Sequence, residues 1–550
     1  MASPFNRSNC LWLAVLATGI VACSKSPTVE LPLPKAPRSA SVDWPSYNRT
    51  LTSERFAPLD FITRENVSKL RVACTYDLGI DTSFQTGPIV IRGVMYATTE
   101  KEIFAIDAAT CAERWRIKED VADTFLKVNR GAAFLDGRLF RGLQDGRVVA
   151  YDAKDGSKIW ETRIADPKIG ETVPAAPIAW NGMVFIGQAG GDNYGVKGRM
   201  YALDAASGKQ LWETWLVPHE EQHAAPTTPS AKVAGPTWGN AAKIPIAGGA
   251  TWTSYTLDPD AGLLYIPGGN PSPDFVKKMR PGNNLFTNSI VVLETRTGVY
   301  RRHFSLVPED FHDWDVSGAP TLIRTRAGRS VMAAAPKDGL LHAHDLASGE
   351  RLYQTAITRR ENTEAALTKS GTHFCPGTQG GSEWNGPAYS PDTNLFYVGT
   401  VDWCATVKVA EEKKVASVAY GQPWSGSSDE KNPFGSFDPK EQWGGWIHGV
   451  DADTGEVRWK FRTPAPVLAG VTPTAGGLVF AAEMGGTAYA FDATDGKVLW
   501  QTQLDGAPGG GVITYAMDGI QRVAFVAGTN SPIWPVEKKT AKIVVFALGK

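Results

Sequence analysis

Residues 311–320, FHDWDVSGAP, set His312, Asp313, Trp314 and Asp315 side by side, with a Gly-Ala-Pro turn just after. A packed core has no use for two carboxylates flanking a tryptophan, because a buried carboxylate needs a cation or donors to offset its lost hydration. The chemistry this pair supports is proton removal: a carboxylate within hydrogen-bond reach of a substrate hydroxyl acts as a general base. On residue types alone, the competing reading is a polar loop on a scaffold.

The elements that would hold such a loop repeat along the chain. AIDAATCAERW (105–115), AYDAKDGSKIW (150–160), ALDAASGKQLW (202–212), GVDADTGEVRW (449–459) and AFDATDGKVLW (490–500) share an Asp, a tight turn and a Trp eight residues on. AHDLASGERLY (343–353) and VLETRTGVYRR (292–302) are degenerate copies. Each follows a short apolar run, which gives strand, hairpin, strand, turn, strand: a four-stranded blade. An eighth copy assembles from the two ends, KLRVACTYDLG (69–79) and KIVVFALGK (542–550). The expectation is an all-β, eight-bladed propeller over 43–550, closed by its N- and C-terminal strands so that no sheet edge is left open. The repeated Asp and Trp residues are then turn caps and blade packing, not catalysts. Two long intervals between copies hold extra loops, near 215–250 and 359–445, and grafted loops on a rigid frame are where function sits. FHDWDVSGAP falls between the fourth and fifth copies, outside the repeat.

Composition agrees with many short strands: 56 Gly, 36 Pro and 18 Trp. The formal charge of −1 gives no bulk pull toward nucleic acid. Residues 1–22 read as an export signal, with Arg7 before an apolar run (Leu11–Ala22) too short to span a bilayer. The stretch IVAC resembles a lipobox, which implies cleavage before Cys23 and lipid attachment to it. Residues 23–42, rich in Pro and Ser, read as a disordered tether. Export permits disulfides among Cys74, Cys111, Cys375 and Cys404. No Cys-x-x-Cys-His occurs, so no covalent c-type haem is expected.

Beyond the repeat, several stretches resemble the quinoprotein alcohol dehydrogenase superfamily, propellers that hold pyrroloquinoline quinone (PQQ) on their axis. GGATWTSYTLDPDAGLLYIPGGNPSPD (248–274) is similar to the segment whose Trp underlies the quinone and whose Asn binds the metal, here Trp252 and Asn270. APIAWNGMVFIGQAGGD (176–192) resembles the segment ending in a metal-binding Glu, a role that falls on Asp192, with Asn193 as the rival. In VNRGAAF (128–134) the resemblance makes Arg130 a partner of the PQQ carboxylates; the vicinal cysteines of the methanol enzymes are replaced by Thr124 and Phe125. APKDGLLHAHD (335–345) places Lys337 near the quinone oxygens. CPGTQGGSEWNGPAYSP (375–391) implies a Cys375–Cys404 disulfide and puts Glu383 where the family has a PQQ-contacting Asn, with Asn385 two residues on.

The resemblance makes Asp315 the general base and a metal ligand, Asp313 a supporting residue and His312 a structural one. Ser317 stands where lanthanide-dependent relatives carry another Asp, which favours Ca²⁺. The implied function is periplasmic oxidation of an alcohol by PQQ, with a separate soluble c-type cytochrome as electron acceptor. The insertion at 405–446 looks mobile; its Trp424, Phe434, Phe437 and Trp443 would suit the roof of an entrance. A non-catalytic relative, the propeller lipoprotein of the Bam outer-membrane assembly complex, shares the repeat, so an envelope scaffold is the alternative. The site residues decide between them.

Overall fold

The computed structural model describes residues 41–122, 124, 126–219, 228–239 and 244–549. The leader, the Cys23 attachment point and nearly all of the tether lie outside the described residues, as does Phe125. Val42, assigned to the tether, belongs to the fold: its N–H donates to Ala516 O at 3.0 Å. Among the described residues no helix is long and apolar enough to cross a membrane.

The fold is an all-β propeller, and the described residues contain eight four-stranded antiparallel sheets together with two smaller ones. The first contains Ile89–Ile91, Val94–Thr98, Glu102–Asp107 and Glu113–Lys118 in sequence order. That order recurs to the seventh, made of Thr472–Pro473, Leu478–Ala482, Thr487–Asp492 and Val498–Gln503. The eighth joins Val512–Met517, Ile520–Ala527 and Lys542–Leu548 to the N-terminal Leu70–Asp77, which pairs from Leu70–Leu548 to Asp77–Lys542. First strands of neighbouring sheets pack side by side, as Ala133–Leu135 does against Ile178–Trp180 and Thr321–Arg324 against Ala388–Ser390. The second and third strands are apolar and buried on both faces, as in Met183–Gly187, whereas outer strands such as Lys158–Arg163 keep a solvated face.

The repeat residues explain how one sheet meets the next. Asp152 Oδ1 accepts from Lys154 N, and Asp492 Oδ1 from Thr494 N, both at 2.8 Å, so the Asp caps its turn. Four residues on, Gly156, Gly208, Gly455 and Gly496 adopt φ of 73–77° and lie flat against the aromatic ring of the preceding sheet. A Cβ on Gly156 would stand 2.7 Å from Trp115, and one on Gly496 2.4 Å from Trp459. The tryptophans donate to the carbonyl just after the turn acid of the next sheet, Trp115 to Ala153, Trp160 to Ala205, Trp212 to Thr295 (after Glu294) and Trp459 to Ala493, at 2.8–3.2 Å.

The seam between the eighth and first sheets uses another device. Cys74 pairs with Val545 beside a register shift, the position that Trp115 and Trp160 hold in their sheets. Cys111, at φ 60°, stands four residues after Asp107, where the other copies have glycine. The two cysteines form a disulfide, so a covalent bond replaces the Trp–Gly contact where the chain ends meet. The second disulfide is Cys375–Cys404, the pair the resemblance implies.

An N-terminal segment ties the sheets from within. Trp44 exchanges hydrogen bonds with Val90, while Leu51, Thr52 and Glu54 carbonyls accept from Leu257, Leu322 and Tyr389. Arg55, 1% exposed, donates to Val471 O and Val512 O at 3.2 Å and to Asn48 Oδ1 at 2.9 Å. The long-loop boundaries are corrected in one place. Ala388–Ser390 and Leu395–Asp402, strands of the sixth sheet, lie inside the expected 359–445 loop, and the true insertion is the connection from 403 to 443.

Replacing both seam cysteines, Cys74→Ser with Cys111→Ser, should cost ~3–4 kcal/mol in guanidinium unfolding, the loop-closure value for a 37-residue separation. Cys74→Trp with Cys111→Gly should recover part of that loss. An unchanged unfolding midpoint in the Ser pair would mean that the seam is held elsewhere.

Candidate active site

Two kinds of loop share one end of every sheet: the loop that enters the first strand, and the loop that joins the second strand to the third. Every candidate residue sits in one of them. Arg130, Trp252, Asp315, Glu383 and Asn385 precede first strands; Asp192, Asn270 and Lys337 lie between second and third strands. The propeller therefore gathers onto one face residues that are more than two hundred positions apart.

In the opening stretch, Asp310 organises the turn by accepting from the N–H groups of His312 (3.0 Å) and Trp314 (3.1 Å). His312 stacks on Trp314 with ring centroids 4.0 Å apart, which makes it a packing residue. Asp313 takes a left-handed φ of 63°, uncommon for a residue with a side chain. Both carboxylates then meet one cation: Lys337 Nζ lies 2.8 Å from Asp315 Oδ2 and 3.9 Å from Asp313 Oδ2. Asp315 Oδ1 accepts from Asn270 N at 2.9 Å. Gly269 permits that approach, since a Cβ there would stand 2.8 Å from Asp315 Oδ1.

A second group of carboxylates lies beside this pair. Oxygens from Asp192, Asp274 and Asp313 all fall within 4.8 Å of one another. Asn270 Nδ2 and Ser272 Oγ donate to Asp274 Oδ1, at 3.0 and 2.9 Å. Asn193 points its amide at Gly170 O (3.3 Å), so Asp192, not Asn193, joins the cluster. Burial, reinforced by the charge of Asp315, pushes the Asp192 carboxyl up to about 6. Burial also drives Asp274 and Asp313 well above the usual carboxylate range. Burial works against the charge of Lys337, but Asp313, Asp315 and Glu383 hold its pKa well above the ordinary lysine value. With one ammonium among this many carboxylates, the site has the charge and the hard oxygen donors that suit a Ca²⁺-like cation. Sequence reasoning missed Asp274 and gave Asp313 only a supporting part; the one available signal was a second acid four residues after Asn270.

Next to the cluster is an aromatic cradle. The Arg130 guanidinium sits 4.6 Å from the centroid of Trp252 and 5.1 Å from that of Trp384, and Lys337 Nζ 5.6 Å from Trp252. Arg130 is 5% exposed, and burial lowers its pKa to about 10. It donates to Trp252 O at 2.9 Å while its Nε finds no partner. Glu383 is buried with Oε1 also unpartnered, and burial, aided by Asp315, pushes it up to about 7. Asn385 is fully engaged, accepting from Tyr47 Oη at 3.1 Å and donating to Leu468 O at 2.8 Å, so it braces the wall. Ser317 donates to Ser382 O at 2.6 Å and fixes the Glu383 loop. A buried guanidinium with an unpartnered Nε over a flat indole fits a planar, polycarboxylate ligand such as PQQ.

The expected mobile insertion is packed onto the site. Trp424, 1% exposed, donates its backbone N–H to Asp192 O at 2.7 Å and meets the Tyr194 ring edge-on at 4.5 Å. Ser425 O accepts from Phe275 N at 2.9 Å. Phe437 stacks on Trp403 at 4.3 Å, with Trp443 edge-on to the same ring.

Comparison with known proteins gives a consistent picture. Residues 44–356 match the family model described as "Glucose/ethanol/alcohol dehydrogenase, beta-propeller domain". Residues 444–544 match the model of the outer membrane protein assembly factor BamB, a stretch of repeat strands that contains none of the candidate residues. The chain is 33% identical to the dehydrogenase subunit of the quinone-reactive alcohol dehydrogenase of Acetobacter aceti, over 90% of this chain and 72% of the relative. It is 31% identical to the quinohemoprotein alcohol dehydrogenase ADH-IIG of Pseudomonas putida, over 88% and 72%. The solved structure of ADH-IIG superposes with a TM-score of 0.83 at 28% identity, covering 92% of this chain and 80% of that one. A europium-containing methanol dehydrogenase superposes with a TM-score of 0.78 at 26% identity, covering 92% and 98%.

The raised carboxyls make a testable statement about pH. Asp192 and Glu383 have folded-state pKa values of about 6 and 7 against ordinary values of 3.8 and 4.5. Their contribution to stability is fully present below pH ~4 and is lost as pH rises toward ~7, because the folded state must then hold ionised carboxylates it disfavours. A bound cation removes that penalty. Adding Ca²⁺ should therefore raise the melting temperature more at pH 7.5 than at pH 5; an equal or larger rise at pH 5 would contradict this electrostatic reading.

Proposed function

Because the chain belongs to the family of PQQ-dependent quinoprotein alcohol dehydrogenases, we propose that its chamber oxidises an alcohol to an aldehyde or ketone, with Asp315 as the general base. The observation that carries this reading is the meeting of the Asp315–Lys337 pair with the Trp252–Arg130 cradle, two features that no scaffold requires. PQQ, when bound, supplies the two-electron acceptor for the hydride. Trp252 offers its ring plane, Arg130 its fork to the ligand carboxylates, and Glu383 a buried edge. Asp192, Asn270 and Asp315 would hold a hard cation, which would supply Lewis-acid polarisation; Ca²⁺ is the ion that Ser317 favours.

The chain's own part is positional and electrostatic. Asp315, fixed by the Asn270 N–H and by Lys337, receives the hydroxyl proton as hydride leaves carbon. Lys337 offsets the negative charge that develops beside it. The packed insertion, fastened to Asp192 and Phe275, keeps bulk water from the reacting atoms. In this reading the eight sheets are the blades of one closed ring, residues 1–22 export the chain, and Cys23 anchors it to a membrane facing the periplasm. A separate soluble c-type cytochrome then takes the electrons.

Purified chain given PQQ and Ca²⁺ should reduce an artificial dye with at least one member of an alcohol panel. Asp315→Asn should lower kcat on the order of 10²–10⁴-fold, the usual worth of a general base, while PQQ absorbance shows the cofactor still bound. Near wild-type turnover in that variant moves the base elsewhere; no turnover with any alcohol and no PQQ binding removes the dehydrogenase reading.

A further inference from the structure

The cation reading above leaves one buried group unused. Asp274 is 0% exposed. Its Oδ1 accepts from Asn270 Nδ2, and Ser272 Oγ lies 2.9 Å from both that oxygen and Gly191 O, with one proton to give to either. Its Oδ2 has no hydrogen-bond partner. A fully buried carboxylate oxygen with nothing to accept from is costly unless the group holds a proton or a cation sits against it. An oxygen of this residue lies with oxygens of Asp192 and Asp313 inside a 4.8 Å circle, close enough for one ion to touch all three.

We propose that Asp274 is a direct ligand of the cation, and that its added charge strengthens the hold on a trivalent hard ion more than on a divalent one such as Ca²⁺. The inference rests on the presence of a cation in the chamber and deepens that reading by naming a further ligand. Affinity and selectivity in all-oxygen sites follow the number of charged ligands. Asp192, Asp274 and Asp313 bring three carboxylates to the site, while Asp315 beside them is paired with Lys337 at 2.8 Å. The charge that Ser317 does not provide thus comes from the loop after Asn270.

Terbium tests this, because its luminescence lifetimes in H₂O and D₂O count the waters left on the ion. The PQQ-loaded full chain is titrated with Tb³⁺ and, separately, with Ca²⁺. Asp274→Asn keeps the acceptor for Asn270 and Ser272 and removes only the charge. It should weaken Tb³⁺ on the order of a hundredfold and Ca²⁺ by a clearly smaller factor. Asp274→Ala should leave at least one more water on bound Tb³⁺ than wild type. Asp274→Ser replaces either variant that fails to fold, and Glu430→Gln, an exposed acid on the insertion, should match wild type. Equal losses for the two ions, or an unchanged water count, overturn the proposal while the cation reading stands. Failure of wild type to bind either ion overturns the cation reading itself.

Discussion

The interaction on which the site depends is the buried ion pair of Lys337 with Asp315 and Asp313. Two carboxylates within 4 Å of one ammonium, all of them nearly inaccessible, are expensive to desolvate. Such an arrangement persists only where the surrounding backbone cannot relax around it. Here the backbone is held by Asp310 accepting two amide hydrogens, by the Asn270 N–H on Asp315, and by the close passage of Gly269. Asp192 and Asp274 add carboxylates that Lys337 alone does not balance, an arrangement suited to a hard cation.

The propeller supplies the rigidity. Its sheets are joined by one repeated contact, a ring of one sheet lying on the turn glycine of the next and donating to the carbonyl beside it. The same strand order places the loops entering first strands and the loops between second and third strands at one end, so catalytic groups need no special folding of their own. Where the ends of the chain meet, Cys74 and Cys111 take the places of tryptophan and glycine. Arg55 and the segment around it then bind the first strands from inside.

Much of this was legible in the sequence because repeated contacts leave repeated residues. The Asp, Gly and Trp spacing gave the four-stranded units, and Trp252 and Asp315 stood out by falling outside that spacing. What stayed hidden has physical reasons. The seam's closure was legible from the two end strands, but its Cys74–Cys111 bond was not, because the cysteines stand where most junctions have a ring and a glycine. The first two strands of the sixth sheet were obscured because the 403–443 insertion separates them from the legible copy at 449–459. The insertion looked mobile from its polar content, yet Trp424 is buried against Tyr194 and bonded to Asp192. Asp274 was one acid among 57 Asp and Glu residues, and only proximity in space separates it from the rest. Glu383 and Asn385 could not be ranked by alignment, but the structure gives Asn385 a full set of partners and leaves Glu383 open to the chamber.

The central claim is that this chamber carries hydride from an alcohol carbon to bound PQQ while Asp315 takes the hydroxyl proton. Stopped-flow absorbance of the PQQ-loaded, Ca²⁺-loaded chain, mixed in one turnover with an alcohol and with its C1-deuterated form, tests that claim directly. The account predicts reduction of the bound quinone in a single phase that slows on deuteration. A bound quinone that stays oxidised with every alcohol tried, or one whose reduction ignores deuterium at C1, would contradict it.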